Sequence, residues 1–241
     1  TQQGVTNVNQ LQNATPNLEV EPAFGGGAAQ FRMRGVGFQD YASNNSPTVG
    51  VYVNEVAYPV PVMTQGLIFD IDRVEVLRGP QGTLYGRNTT GGAIRYISRK
   101  PTGDDRMEVD LSVGNLGRLD GRATFATRIG ESLDVSAAVL SRNRDGILYD
   151  RSHNRHVNDQ DVLAGRFALA STWGESSYAA LSIDRLRERS TPAWGTPVAL
   201  AAGDRVVPRL GDFYVTETDI LGLNDLDQFG IIFRPSPRQS D

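Results

Sequence analysis

The chain contains no cysteine. Disulfides, thiolate nucleophiles and Cys-ligated metals are therefore excluded together. Histidine is almost as scarce: His153 and His156 are the only two, three apart in a polar stretch that offers no further ligands at metal-site spacing, and they read as solvated side chains. Asn158, Asp159 and Asp161 follow, but lack the Gly and Glu of a calcium loop. Lysine is all but absent, with Lys100 standing among 24 basic residues, and the net charge of −4 leaves no basic face for a nucleic-acid partner. No apolar run approaches the ~18 residues that a membrane-crossing helix requires. If the chain meets a membrane, it does so as part of a closed β-barrel. No Ser/His/Asp set or paired-carboxylate cleft emerges, so an enzyme is not supported, and no cofactor or resident metal is called for.

What is present falls into two styles. Residues 1–29 are polar and Gly-rich, broken by Pro16, Pro22 and Gly25-Gly26-Gly27, with a short helix expected over Asn7 to Leu11. From Gln30 to Pro101 short strand patterns alternate with turn-rich connections, as in a small mixed α/β globule. After Pro101 the pattern becomes regular. Met107 to Val113 alternates apolar and polar residues without error, as a strand with one apolar and one wet face must. Leu119 to Ile129 sets Ala123, Phe125 and Ile129 against Asp120, Arg122, Thr124 and Arg128. Leu133 to Arg144 and Leu163 to Trp173 do the same, the latter with Phe167 and Leu169 opposite Arg166 and Thr172. Tyr178 to Arg187 and Phe229 to Arg234 are less clean. Six such strands make an antiparallel meander, with tight links at Gly130 to Ser132 and Gly174 to Ser176 and long polar ones at Asp145 to Gln160 and Ser190 to Asp227. Short turns at one end and long loops at the other are the habit of outer-membrane barrels.

The most informative run is DRVEVLRGPQGTLYGRNTTGGAIRYISRKP, from Asp72 to Pro101. It joins two strand patterns, Arg73 to Leu77 and Ala93 to Ser98, through a Gly-rich segment. Gly79 to Gly92 is no phosphate cradle, because the Lys-Ser/Thr ending of a P-loop and the helix after it are missing. Arg73-Val74-Glu75-Val76-Leu77-Arg78-Gly79-Pro80, then Leu84-Tyr85-Gly86, then Gly91-Gly92-Ala93-Ile94 resemble the core of the plug domain of TonB-dependent outer-membrane receptors. Phe31-Arg32-Met33-Arg34-Gly35 and Val49-Gly50-Val51-Tyr52-Val53-Asn54 resemble earlier strands of that plug, in the same order.

The resemblance implies an α+β plug domain over residues 1–101, followed over residues 102–241 by the first transmembrane strands of an antiparallel β-barrel, about six of twenty-two. Geometry agrees with the larger number. Six strands spaced ~4.8 Å and tilted ~40° close to a diameter of only about 12 Å, whereas twenty-two give about 44 Å, enough to hold a plug. The family places a signal peptide, a TonB-contacting box and the first plug strands ahead of the matched region; none is visible after Thr1, so the chain is expected to be an excerpt, unable to fold alone because its sixth strand leaves an open edge. The implied partners are TonB, outer-membrane lipid and a small ligand such as a ferric siderophore, with a monomeric receptor in the bacterial outer membrane. Ligand contact is expected at the plug apex from Arg34, Phe38, Asp40, Tyr41 and Asn44, with Tyr58 and Gln65 in the next loop, where aromatics, amides and an arginine suit a bulky polar ligand. The same loops equally suit a mere cap on the plug.

The resemblance also implies that plug charges around the motif, Arg73, Glu75 and Arg78, pair with later barrel strands; the bland alternative is a solvated surface strand. Tyr85, Gly86, Gly91 and Gly92, with Gly79 and Pro80, shape the loop, and valine at Gly91 and Gly92 is expected to damage plug folding or transport. A competing class, a soluble all-β binding or adhesion module built as a sandwich, explains the meander but not the plug-like motif.

Overall fold

The computed structural model describes residues 8–22, 29–37, 46–59, 69–173, 177–191, 199–202, 205–208, 215–216 and 224–237. A 3₁₀ turn, Val8–Gln10, runs into α1 (Leu11–Ala14) and then β1 (Leu18–Pro22), which pairs antiparallel with β2 (Ala29–Met33). Strand β1 was not legible in a segment read as polar and irregular. Its four-residue alternation, Leu18-Glu19-Val20-Glu21, is too short to stand out, yet it buries Leu18 opposite Met33 and Val20 opposite Phe31.

Next come β3 (Val49–Val53), β4 (Val56–Tyr58), β5 (Ile71–Arg78), α2 (Gly82–Tyr85) and β6 (Gly92–Ser98). They form a sheet in the order β4-β3-β6-β5, parallel between β3 and β6 and antiparallel elsewhere. The central pair carries apolar residues on consecutive positions, as strands covered on both faces do. Met33, Val49, Ile94 and Tyr96 are sealed from solvent in one core with Val8, Leu11 and the β1–β2 pair. Burial pushes the Tyr96 hydroxyl well above its ordinary pKa, so it stays a neutral phenol.

The second half is a meander. Strands β7 (Arg106–Val113), β8 (Leu119–Ile129) and β9 (Leu133–Arg144) lead to a small hairpin, β10 (Leu148–Asp150) with β11 (Arg155–Val157). Long strands β12 (Gln160–Trp173) and β13 (Ser177–Ser190) follow, then the short β14 (Ala199–Ala202), β15 (Arg205–Pro208) and β16 (Val215–Thr216), and finally β17 (Asn224–Pro237). Six of these make one antiparallel sheet in the order β7-β8-β9-β12-β13-β17. Its register aligns Val109, Ala123, Val139, Gly165, Arg185 and Phe229 in one row and Asp110, Arg122, Leu140, Ala164, Leu186 and Gln228 in the next.

The two faces of this sheet invert the usual rule. Met107, Leu111 and Val113 are 78%, 76% and 80% exposed, and Phe125, Phe167, Ile183, Ile231 and Phe233 are exposed with them. On the opposite face Thr124, Asp134, Ser136 and Arg166 are buried. An apolar outside and a polar inside fit a wall between lipid and a filled lumen, and do not fit a sandwich with a greasy centre.

Strand β13 runs three residues past the expected end at Arg187 because its outward positions turn from apolar to charged. Beyond Ile183 come Arg185, Arg187 and Arg189, and β17 answers with Asp227, 2.7 Å from Arg185, and Asp225, 3.8 Å from Arg189. The change in polarity hides the strand from an apolar count and marks the rim of the greasy band. Both histidines are exposed, as expected, and each also has a protein partner. Asp150, fully buried, lies 2.8 Å from Nδ1 of His153 and accepts from the Ser152 N–H, while His156 stacks edge-on against Tyr149. The long link from Asp145 to Gln160 is thus a folded hairpin, and β10 pairs parallel with β16 of the following link.

Candidate functional site

The plug motif closes a loop at the end of the β5–β6 pair. Gly79 N–H donates to Gly91 O at 3.1 Å and Gln81 N–H to Thr89 O at 3.0 Å, so the ends of the segment meet across one ladder step. Pro80 follows Gly79, whose φ of +93° only glycine adopts without strain, and the chain then turns through α2 to Gly86 at φ +76°. Thr89 Oγ1 donates to Gly86 O at 2.7 Å, and Gly91 N–H to Thr48 O at 2.9 Å, which ties the loop to the start of β3.

Beside this loop lies a charged lattice. Glu75 accepts from Arg73 at 2.8 Å and from Arg95 on β6 at 2.6 Å, while Arg73 also reaches Asp72 at 2.9 Å. The Arg95 guanidinium stands 5.8 Å from the centre of the Tyr85 ring, and Tyr85 meets Tyr52 with ring centres 5.0 Å apart. The Tyr52 hydroxyl donates to Tyr85 O at 2.7 Å. Glu75 thus joins β5 to β6 through Arg95, while Arg73 pairs along its own strand and Arg78 at the end of β5 is exposed. The Arg73 hydrogen bond, with Arg95 behind it, holds the Glu75 carboxyl below its ordinary range. A depressed carboxylate stabilises the fold above its unfolded pKa and loses that contribution as pH falls through the folded value. Protection factors for amide exchange across β5–β6 in the intact receptor are therefore expected to fall as pH drops below the ordinary glutamate range. Glu75→Gln should flatten that dependence.

Of the residues expected at the apex, Arg34 is exposed on a turn at φ +52°, its N–H bonded to Asn17 O at 2.9 Å. Tyr58 ends β4, half-buried against the plug core, and Asp184 and Arg166 of the wall act on its hydroxyl, whose pKa is raised by burial and then by Asp184. Phe38, Asp40, Tyr41, Asn44 and Gln65 lie outside the described residues.

Sequence reasoning missed the contact between plug and wall. Phe69 packs among Ala138, Leu140, Val162, Ala164 and Leu186 of the inward face. Next to it, Arg166 from the middle of β12 donates to Asp70 O at 3.1 Å, lies 3.7 Å from the Asp70 carboxylate, and donates through Nε to Asp184 on β13. The Arg166 side chain is only 5% exposed, and its guanidinium stands 5.1 Å from the centre of the Phe69 ring. Burial pushes the Asp70 carboxyl up and Arg166 pulls it back. Further along the wall, Arg234 on β17 donates to Asn54 O in the β3–β4 turn, and the Asn54 side chain bonds Ser98 at 2.6 Å and the Ser98 N–H at 2.9 Å. One signal was available: Arg166 is the lone charge on the inward face of β12, flanked by Ala164, Ala168 and Ala170.

A mixed sheet docked on the polar face of a strand wall whose other face is greasy defines the class: an outer-membrane barrel with an internal plug. Comparison with known proteins agrees. Residues 1–93 match the family described as TonB-dependent Receptor Plug Domain. The pesticin receptor of Yersinia pestis is 30% identical over 162 residues, covering 66% of this chain and 21% of the relative. The catecholate siderophore receptor Fiu of Escherichia coli K12 is 26% identical over 163 residues, covering 63% and 21%. Among solved structures, the ferric yersiniabactin uptake receptor FyuA of Yersinia pestis superposes with a TM-score of 0.71 at 25% identity, over 78% of this chain and 30% of that one. The copper transporter OprC superposes with a TM-score of 0.55 at 17% identity, over 77% and 28%, and shows the fold alone. The chain spans about a fifth of the length of the curated relatives it matches.

Residues 1–93 carry the plug domain of the TonB-dependent receptors, a family of bacterial outer-membrane transporters rather than enzymes.

Proposed function

We propose that the intact protein imports a ferric siderophore across the outer membrane. The observation that carries this reading is the plug seated against the inward face of the wall through Phe69 and the Arg166 cluster, together with the relatives named for siderophores and their ferric complexes. Residues 1–101 serve as the plug and residues 102–241 as the opening strands of a barrel of about twenty-two, the size that makes room for it. TonB pulls on the N-terminal side of the plug, the plug shifts, and no covalent step is required. Arg34, Phe38, Asp40, Tyr41, Asn44, Tyr58 and Gln65 are the proposed ligand contacts, and Arg73, Glu75 and Arg78 the proposed plug charges facing later strands. In this reading the receptor is a monomer, is not an enzyme and binds no nucleic acid. The test is growth of a deletion strain under iron limitation. The full-length gene should restore use of at least one ferric siderophore from a panel that includes catecholates and yersiniabactin, dependent on TonB, and failure across such a panel with a normally inserted receptor would reject the cargo class.

A further inference from the structure

These six wall strands grip the plug locally. The polar contacts that Arg166 of β12 and Arg234 of β17 make to the plug converge on one end of the β4-β3-β6-β5 sheet: the β3–β4 turn at Asn54, the residue before β5 at Asp70, and the end of β6 at Ser98, which Asn54 fastens. Both wall residues are arginines, and both reach past side chains to main-chain carbonyls, Asp70 O and Asn54 O. Asp70 O also accepts from the Arg99 N–H at 3.0 Å, so the clamp and the chain leaving the plug share one acceptor. Phe69 fills the wall's hydrophobic cluster at the same point. The opposite end, Gly79 to Gly91, is closed by its own internal ladder.

We propose that Arg166 and Arg234 are positioning residues that clamp the Asn54–Asp70–Ser98 end of the plug sheet to the wall, so that this end keeps the pore sealed. The proposal rests on the reading of the chain as plug and wall. A guanidinium suits the task because its fixed fork addresses a carbonyl and a carboxylate at once, as Arg166 does with Asp70 and Asp184. Desolvation by the surrounding alanines and Phe69 strengthens those contacts and keeps competing water out. A carbonyl acceptor also makes the clamp independent of which side chain the plug presents.

The experiment uses the full-length receptor in the outer membrane of a strain lacking its own copy, and reads sensitivity to vancomycin, a polar antibiotic too large for a sealed barrel. No knowledge of the cargo is needed, so the result is separable from the siderophore assignment. Arg166→Met combined with Arg234→Met should leave the amount of folded, heat-modifiable receptor near wild type and raise vancomycin sensitivity about tenfold or more, as loss of two charge-assisted contacts shifts the unseated population. In a full-length receptor kept free of other cysteines, to which this chain contributes none, Phe69→Cys with Leu186→Cys, joined by a short bis-maleimide, supplies a covalent replacement for the clamp. The tether in the double-methionine background should restore exclusion. Should Arg166→Met fail to reach the membrane, Arg234→Met alone decides, since it strands no carboxylate, and roughly threefold sensitisation is expected from losing a single such contact. Folded receptor with unchanged exclusion, or leakage that the tether does not cure, would overturn the clamp.

Discussion

Valine at Gly92 is expected to leave the receptor in the membrane with its plug unfolded. Gly92 opens β6 at φ +151°, where L side chains are strained, and a Cβ built there would lie 2.4 Å from Leu77 O and 2.6 Å from the Met33 sulfur. Neither neighbour can step aside cheaply. Leu77 sits on β5, paired through Ala93 to the same strand, and Met33 is fully buried at the junction of β2 with the sheet core. Backbone strain of about 1–3 kcal/mol and overpacking of about 1–3 kcal/mol add to a loss of several kcal/mol, a large share of the ~5–15 kcal/mol that holds a typical domain. Gly91 is less critical: a Cβ there meets Val36 O at 3.1 Å and Val49 Cγ2 at 3.2 Å, and its φ is unremarkable, so Gly91→Ala should cost only about 1 kcal/mol. Limited proteolysis of the inserted receptor separates the two. Gly92→Val should expose the plug to cleavage with the barrel band intact, while Gly91→Ala should protect it like wild type. A Gly92→Val receptor with a protease-resistant plug and normal vancomycin exclusion would show that the close packing of β2, β5 and β6 is not what seats it.

How much was legible follows from the range of the interactions. Strands β8 and β9 matched their expected bounds, Leu119 to Ile129 and Leu133 to Arg144, because alternation is a local property of a two-faced strand. The apolar side of each faces out and the polar side in, and pattern alone does not say which side meets solvent. The enclosing geometry settled it, since six strands cannot close around a plug. Strand β1 was too short to stand out, and the last three residues of β13, Glu188 to Ser190, lay beyond the expected end because Arg189 continues the strand after the greasy band has ended. The plug motif was readable from Arg73 to Gly92, yet the partners of Arg73 and Glu75 were not, because Asp72 is a sequence neighbour and Arg95 arrives from twenty positions away through β-pairing. Least legible was the clamp. Asp70 and Arg166 are 96 residues apart, and nothing in a local window announces that a lone inward arginine among alanines will meet a main-chain carbonyl.

Arginine in place of Phe167 should discriminate most sharply between a lipid-embedded wall and a soluble module. Phe167 occupies an outward position of β12, exposed, in register with Ala137 and Ile183. Six residues separate it from Trp173, and at ~3.3 Å per residue with a tilt of ~40° that places it about 15 Å from the Trp173 end, near the middle of an apolar band ~25 Å tall. A guanidinium at that depth loses its hydration and finds no counter-charge, since the neighbouring outward residues Leu163, Leu169 and Ile183 are apolar. The expected penalty is about 2–4 kcal/mol of folding free energy in lipid, read as a shift of the denaturant midpoint of the full-length receptor in vesicles and as a reduced heat-modifiable band in cells. The size of the side chain is controlled by Phe167→Leu, which should cost well under half as much. Depth is controlled by Arg189→Ala at the charged rim, where the effect should fall to about 0–1 kcal/mol. In a water-soluble sandwich the order would reverse, because an exposed phenylalanine replaced by arginine improves solubility and leaves the fold untouched. Equal midpoints for wild type and Phe167→Arg in lipid would mean that this face does not meet hydrocarbon, and the inverted pattern of β7 to β17 would then need a protein partner on its outside.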